Sequence, residues 1–184
     1  MSSSMDSVSM DMVAPQNGNG AQPNPIEEIG RTELLADAET ANLVLSKTPK
    51  NILIRYFIVN VNSIRVQCRF NGDIGNNYGE LFSENFGTAT SVTNDDDIQI
   101  TDNSASAETA TGEIIFNNIQ DEIKTGRVNN ISSGGPTAGS APDYKVNAFK
   151  WVNTVDLIDT INFFVDLGGG DMGIGSYFIA FGWD

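Results

Sequence analysis

The sequence contains no histidine and only one cysteine among its 184 residues. Without histidine, the chain lacks the commonest general acid–base group and a common metal ligand. A single cysteine excludes an intrachain disulfide. Cys68 belongs to an alternating apolar series whose other members are Ile64, Val66 and Phe70. We therefore predict a buried, inert thiol, since no histidine is present to activate it as a nucleophile.

Basic side chains are also scarce. The chain has 10 Lys and Arg against 24 Asp and Glu, which gives a net charge of −14. Phosphate backbones and anionic membrane surfaces attract clustered Lys and Arg, so we expect neither nucleic acid nor membrane as a partner. No apolar run approaches the roughly 20 residues of a membrane helix, and the N-terminus lacks the features of a signal peptide. A hydrophobic fraction of 40% still suffices for the core of one domain.

The first 25 residues differ in composition from the rest of the chain. They are mostly Ser, Asn, Gly, Gln and Pro with scattered Met, and they are too polar to fold alone. We predict an extended, low-complexity N-terminal arm over residues 1–25 and a folded domain over residues 26–184. Such an arm becomes ordered by wrapping a partner, and a neighbouring subunit is the simplest one.

Beyond the arm, apolar residues recur with period two, and helix signals are nearly absent. About nine strands are expected, punctuated by Gly, Asn, Asp and Pro. The pattern predicts an all-β fold, an antiparallel β-sandwich that is jelly-roll-like. Surface loops are expected at residues 85–96, 102–111 and 129–143. The shorter candidate strands are residues 29–35, 41–46, 51–61, 97–101, 112–117 and 148–152.

The C-terminal part contains two alternating apolar series. We expect residues 155–167 and 176–183 to form adjacent antiparallel strands joined by a loop over residues 168–175. The residues expected to share one core face are Ile161, Phe163, Val165, Ile179 and Phe181. The first series is Val155, Leu157, Ile161, Phe163, Val165 and Leu167; the second is Tyr177, Ile179, Phe181 and Trp183.

The segment GGGDMG at residues 168–173 matches the G-x-G-x-x-G dinucleotide fingerprint. That fingerprint requires a following helix, whose N-terminus holds the phosphates. The residues after it alternate as a strand instead, so we predict a glycine-rich loop and no nucleotide site.

Two further motifs have an ordinary structural interpretation. The run Asn94-Asp95-Asp96-Asp97, with Asp73 and Asp171 on other loops, does not present the alternate oxygens of a calcium loop. A solvated charged loop is predicted, with calcium as the alternative. Asn130-Ile-Ser132 is a glycosylation sequon in an expected surface loop.

No catalytic constellation can be assembled from the sequence. Nothing selects one acid–base pair among the 24 acidic residues. Trp151 and Trp183 could stack on sugars, but each lies in an alternating strand, which favours a core position or a subunit contact. We predict a non-enzymatic protein with no catalytic, cofactor-binding or metal-binding residue and no cofactor.

The order of several segments resembles a family of virion structural proteins of tailed viruses. The resemblance covers roughly residues 29–182, and its most specific part is the R-F-N-G-D-x-G-x-N-Y stretch after a long strand. It rests on RFNGD (69–73), GNNY (75–78), GEIIFN (112–117), KWVNT (150–154), IDTI (158–161) and the final strand from Gly175-Ser176 to Gly182.

This resemblance implies a structural component of a bacterial or archaeal tailed-virus particle, located in the virion at the capsid, neck or tail. Homo-oligomers are expected as trimers, pentamers or hexamers, because virion positions are symmetric. The arm would dock on other virion proteins such as major capsid or tail subunits. RFNGDIGNNY would then be a structural corner, in which Arg69 pairs with Asp73 or another acid and Tyr78 fixes the loop. A host-attachment module that binds glycans is the alternative function.

Overall fold

The computed structural model describes residues 25–62, 64–101, 108–134, 137–167 and 169–184. Most of the predicted arm therefore lies outside the described residues, as do residues 102–107, 135–136 and 168 of the predicted loops. No helix occurs in the described part of the chain, which consists of strands and their connections. The strands are β1 (Glu27–Glu33), β2 (Thr40–Val44), β3 (Asn51–Val59), β4 (Arg65–Phe70), β5 (Tyr78–Glu84), β6 (Thr90–Asp95), β7 (Ile98–Gln99), β8 (Thr109–Asn117), β9 (Lys124–Ser132), β10 (Asp143–Trp151), β11 (Thr160–Leu167) and β12 (Tyr177–Trp183).

The strands form two sheets with antiparallel pairing throughout. The larger sheet has eight strands in the order β1-β12-β3-β8-β9-β10-β5-β6, and the smaller has four in the order β2-β11-β4-β7. The predicted all-β sandwich is confirmed. The apolar periodicity of the sequence produces it, because alternate residues of each strand face the space between the sheets.

The core lies between the two sheets. On β3 the inward residues are Ile52, Ile54, Tyr56 and Ile58, all at most 1% exposed. Across the sandwich, the ring of Phe163 on β11 stacks on that of Phe178 on β12, with centroids 3.9 Å apart. Deep burial of such aromatic pairs supplies a large part of the driving force for folding.

The strand that carries Cys68 agrees with the prediction. Ile64, Val66, Cys68 and Phe70 are each 0% exposed. Burial raises the pKa of the Cys68 thiol well above its usual value, which keeps it protonated. The residues that alternate with these four were expected to face outward, but Gln67 is also buried.

The predicted pairing of the last two strands is wrong. β11 pairs with β2 and β4 in the smaller sheet, whereas β12 pairs with β1 and β3 in the larger one. The chain crosses from the smaller sheet to the larger one between these two strands, so they do not form a hairpin. Met172 anchors the glycine-rich segment between them through isolated bridges to Ala38 and Asn60.

The predicted core faces at the C-terminus need two corrections. On β12 the buried residues are Phe178, Ala180 and Gly182, so Ile179 and Phe181 lie on the other face and are half-exposed. The strand expected from residue 155 begins only at Thr160. Val155 is 73% exposed, since the segment before β11 is a surface connection.

Three strands were not predicted from the sequence: β5, β6 and β9. The expected loop over residues 85–96 contains β6, and the expected loop over residues 129–143 begins inside β9. Their sequences, such as TSVTND and KTGRVNNIS, are polar and lack a clear apolar alternation. Pairing with β5 and with β8 and β10 holds them in the sheet despite their composition.

Candidate functional site

The RFNGDIGNNY stretch is a corner that leads from β4 into β5. Asn71 and Gly72 have φ values of 53° and 67°, the left-handed backbone of a tight turn. Asp73 accepts hydrogen bonds from the Gly75 N–H at 2.8 Å and from the Asn77 amide at 2.9 Å. It also accepts one from Trp151 Nε1 at 2.7 Å. The corner thus holds the indole of a core tryptophan.

These contacts explain the charge state of Asp73. Burial alone raises the pKa of the Asp73 carboxyl, but hydrogen bonds from Trp151, Asn77 and Gly75 lower it by more, so the net pKa lies below its usual value. Tyr78 completes the corner as predicted: its hydroxyl accepts the Phe70 N–H at 2.9 Å. The side chains of the corner are therefore engaged with the fold itself.

Arg69 pairs with another acid, as the prediction allowed, and not with Asp73: its partners lie between β6 and β7. Its guanidinium lies 2.6 Å from Asp96 Oδ2 and 3.6 Å from Asp97 Oδ2. The Arg69 guanidinium also stacks over the Phe164 ring at 4.3 Å from the centroid. These contacts hold the acid-rich turn, residues 94–97, against the smaller sheet.

The acid-rich turn is not the solvated loop that its composition predicts. Asp97 is 4% exposed, and it meets Glu80, 6% exposed, and the half-buried Asp95. One carboxylate oxygen from each of the three lies within 4.8 Å of the other two. The sequence pattern gives no indication of Glu80, because it does not predict strand β5. Only the fold brings it beside Asp95 and Asp97.

The electrostatics of this group follow from burial and like charge. Burial raises the pKa of Asp97 to about 8, assisted by the charges of Asp95 and Asp96. Burial also raises the pKa of Glu80, although hydrogen bonds from Asn147 and the Gln99 N–H oppose the shift. Three acids, from β5, from the end of β6 and from the residue before β7, therefore share a site where full ionisation is unfavourable without a counter-charge.

The glycosylation sequon does not lie where the sequence predicts it. Asn130 of the sequon is 1% exposed within β9, so it is not in a surface loop. Its Oδ1 accepts the Tyr56 hydroxyl at 3.0 Å, and its Nδ2 donates to Ser132 Oγ at 3.1 Å. The sequon therefore forms a buried polar contact. Trp151 is fully buried, as predicted, whereas Trp183 is half-buried on the outer side of β12.

The outer face of the larger sheet, the side turned away from the smaller sheet, is partly apolar. Its half-exposed apolar residues come from five strands. Three of them, Ile131, Tyr144 and Tyr177, line a shallow groove together with Arg55, Glu113 and Asn129. The apolar set is Leu53, Phe57, Ile115, Ile131, Tyr144, Val146, Tyr177, Ile179 and Phe181.

Comparisons with known proteins add no family assignment: no family model, no curated protein and no solved structure matches the chain. Within the described residues, no helix is both long and apolar enough to span a membrane.

Proposed function

We propose that the chain is a non-enzymatic structural subunit of a tailed-virus particle, built on a jelly roll. The observation that carries this proposal is the strand order. The segment β1-β12-β3-β8 of the larger sheet stands opposite β2-β11-β4-β7 of the smaller one, and from β1 to β4 each strand lies in the sheet opposite its predecessor. Two sheets of four strands in this order are the arrangement of jelly rolls, which are frequent among viral capsid domains.

The remaining four strands fit this interpretation as two insertions. β5 and β6 pair with each other between β4 and β7 in the sequence, and β9 and β10 pair between β8 and β11. Both pairs extend the larger sheet beyond β8. The insertions widen one face of the domain without disturbing the eight-stranded arrangement, as expected for a subunit that needs a broad contact surface.

The outer face of the larger sheet supports assembly through symmetric copies. Its half-exposed apolar row Phe181-Leu53-Ile115 crosses three neighbouring strands in register and continues to Arg127. Side chains of this kind are stabilised when a partner surface covers them. We propose a homo-oligomer, a trimer, pentamer or hexamer in the virion, with residues 1–25 docking on capsid, neck or tail proteins.

Imaging and mass determination of the purified full-length chain test this proposal. A closed symmetric assembly is expected, with copies in contact through the outer face. Phe181→Asp should dissociate it, whereas Val155→Asp, at an exposed position outside that face, should leave it intact. A parent chain that stays monomeric at concentrations of about 100 μM would contradict the proposal.

The groove on the outer face favours a second function, host attachment by glycan binding. Tyr177 stacks on Phe57 with ring centroids 5.8 Å apart, and Asn129 donates to Glu113 at 3.1 Å beside it. Aromatic rings next to fixed polar groups suit sugar recognition. Binding on a glycan array that is lost in Tyr177→Ala would favour this alternative, while an assembled protein that binds no glycan favours the structural role.

A further inference from the structure

Three carboxylates from separate segments converge where the two sheets meet near β7. Glu80 lies on β5, Asp95 ends β6, and Asp97 immediately precedes β7. One oxygen from each lies within 4.8 Å of those of the other two. Glu80 and Asp97 are 6% and 4% exposed. Two of the three groups are thus withdrawn from water. A charge on a buried carboxylate needs a compensating partner.

The neighbouring basic groups are shared between this cluster and other acids. Arg69 lies 2.6 Å from Asp96 and only 3.6 Å from Asp97 Oδ2. Lys145 Nζ lies 3.1 Å from Glu84. Two cations, Arg69 and Lys145, therefore face five acids, and the carboxylate group retains excess negative charge. The acids are Glu80, Glu84, Asp95, Asp96 and Asp97.

A buried amide that is not part of the acidic cluster is directed into it. Asn147 on β10 is 0% exposed, and its Nδ2 donates to Glu80 Oε2 and to the Gln99 carbonyl. Asn147 Oδ1 is buried without a hydrogen-bond partner, and so is Asp97 Oδ1. Buried oxygens without a donor are costly. A cation at the carboxylates would bind Asp97 Oδ1, and a half-turn of the Asn147 amide, whose N–H group now faces Glu80, would bring Asn147 Oδ1 to the ion as well.

We propose that Glu80, Asp95, Asp97 and Asn147 form a binding site for a calcium ion. All four offer hard oxygen ligands, without the nitrogen or sulfur that zinc and copper prefer. Calcium–oxygen distances of about 2.3–2.6 Å keep any two ligands of one ion within about 5.2 Å of each other, and the three carboxylate oxygens, all within 4.8 Å of one another, meet that condition. Magnesium, at about 2.0–2.1 Å, requires a tighter and more regular set. Water molecules would complete the coordination.

The site joins elements that the sheets alone leave weakly connected. Its ligands come from β5, β6 and β10 of the larger sheet and from the residue before β7 of the smaller one. β7 has two residues and pairs only through Gln67↔Gln99 and Cys68↔Ile98. A bound ion would therefore fasten the insertion strands to the smaller sheet.

The test is thermal melting of the full chain in a calcium chelator, in about 5 mM Ca²⁺ and in about 5 mM Mg²⁺, with calorimetric titration of Ca²⁺. The parent should bind one Ca²⁺ per chain, and its midpoint should rise by about 5 °C, with a smaller response to Mg²⁺. Asp97→Asn keeps the side-chain shape and removes one charge. It should remain folded in chelator and lose the calcium response.

Two further variants keep the test decisive. Asp95→Asn, at a half-buried position, should also abolish the response and serves if Asp97→Asn does not fold. Asp171→Asn, in the glycine-rich segment, is the matched control and should respond like the parent. An unchanged parent midpoint, a response that persists in Asp95→Asn, or equal responses to Ca²⁺ and Mg²⁺ would overturn the proposal.

Discussion

At the scale of single residues, Asp73 fixes the corner that follows β4. Its carboxylate accepts Trp151 Nε1, and Trp151 is fully buried. Asp73→Ala would leave that N–H without its acceptor. We expect a loss of about 1–3 kcal/mol in the free energy of unfolding, measured by urea titration. Asn77→Ala removes a neighbouring donor without orphaning the indole and should cost less; equal losses would contradict this role.

Asp73 also predicts a specific acid sensitivity. Its pKa is lower in the folded chain than the usual 3.8, so the ionised form is favoured by folding. This contribution is complete above about pH 4, the unfolded value, and is lost as the pH falls through the folded value. Unfolding titrations of the parent and Asp73→Asn should therefore converge below that range. Parallel curves across it would show that Asp73 does not act through its charge.

Cys68 provides a third prediction at this scale. The thiol is fully buried between apolar neighbours. Cys68→Ser places a hydroxyl there and should cost about 1–3 kcal/mol of unfolding free energy. Cys68→Ala, which introduces no polar atom, is the matched control and should cost less. A serine variant as stable as the alanine variant would contradict the apolar character of the site.

At the scale of elements, β11 and β12 carry phenylalanines that differ in their exposure to solvent. Phe163 is fully buried against Phe178, whereas Phe181 is half-exposed on the outer face. Phe163→Ala should cost about 3–5 kcal/mol, and Phe181→Ala about 1 kcal/mol or less in the dissociated subunit. Chemical denaturation at low protein concentration measures both. Equal losses would place Phe181 in the core after all.

The sequence predicts elements well where apolar alternation is strict and one-sided. β3 and β4 were found with their buried faces, because their inward residues are uniformly apolar. On β12 both faces are apolar, so periodicity could not decide which one is inward. The polar strand β6 and the buried acid Glu80 depend on pairing across the sheet, and the local sequence carries no sign of either.

At the scale of the whole molecule, the predicted boundary near residue 25 can be tested by deletion. The described core begins at Ile29, so removal of residues 1–25 should leave circular dichroism and the melting midpoint unchanged. Incorporation into larger assemblies should weaken. Unfolding of the truncated chain would show that the boundary is wrong, and normal assembly would show that the segment is not an arm.

The pairing of β1 with β12 also determines where segments attached to the two ends leave the domain. Glu27 lies opposite Gly182 in this antiparallel pair, and the Lys50 N–H donates to Asp184 at 3.1 Å nearby. Whatever precedes residue 27 and whatever is fused after residue 184 therefore leave the domain at one corner. A reporter attached after residue 184 would leave the domain at the same corner as a segment attached before residue 27, and a short linker could join the two ends in a circularly permuted chain.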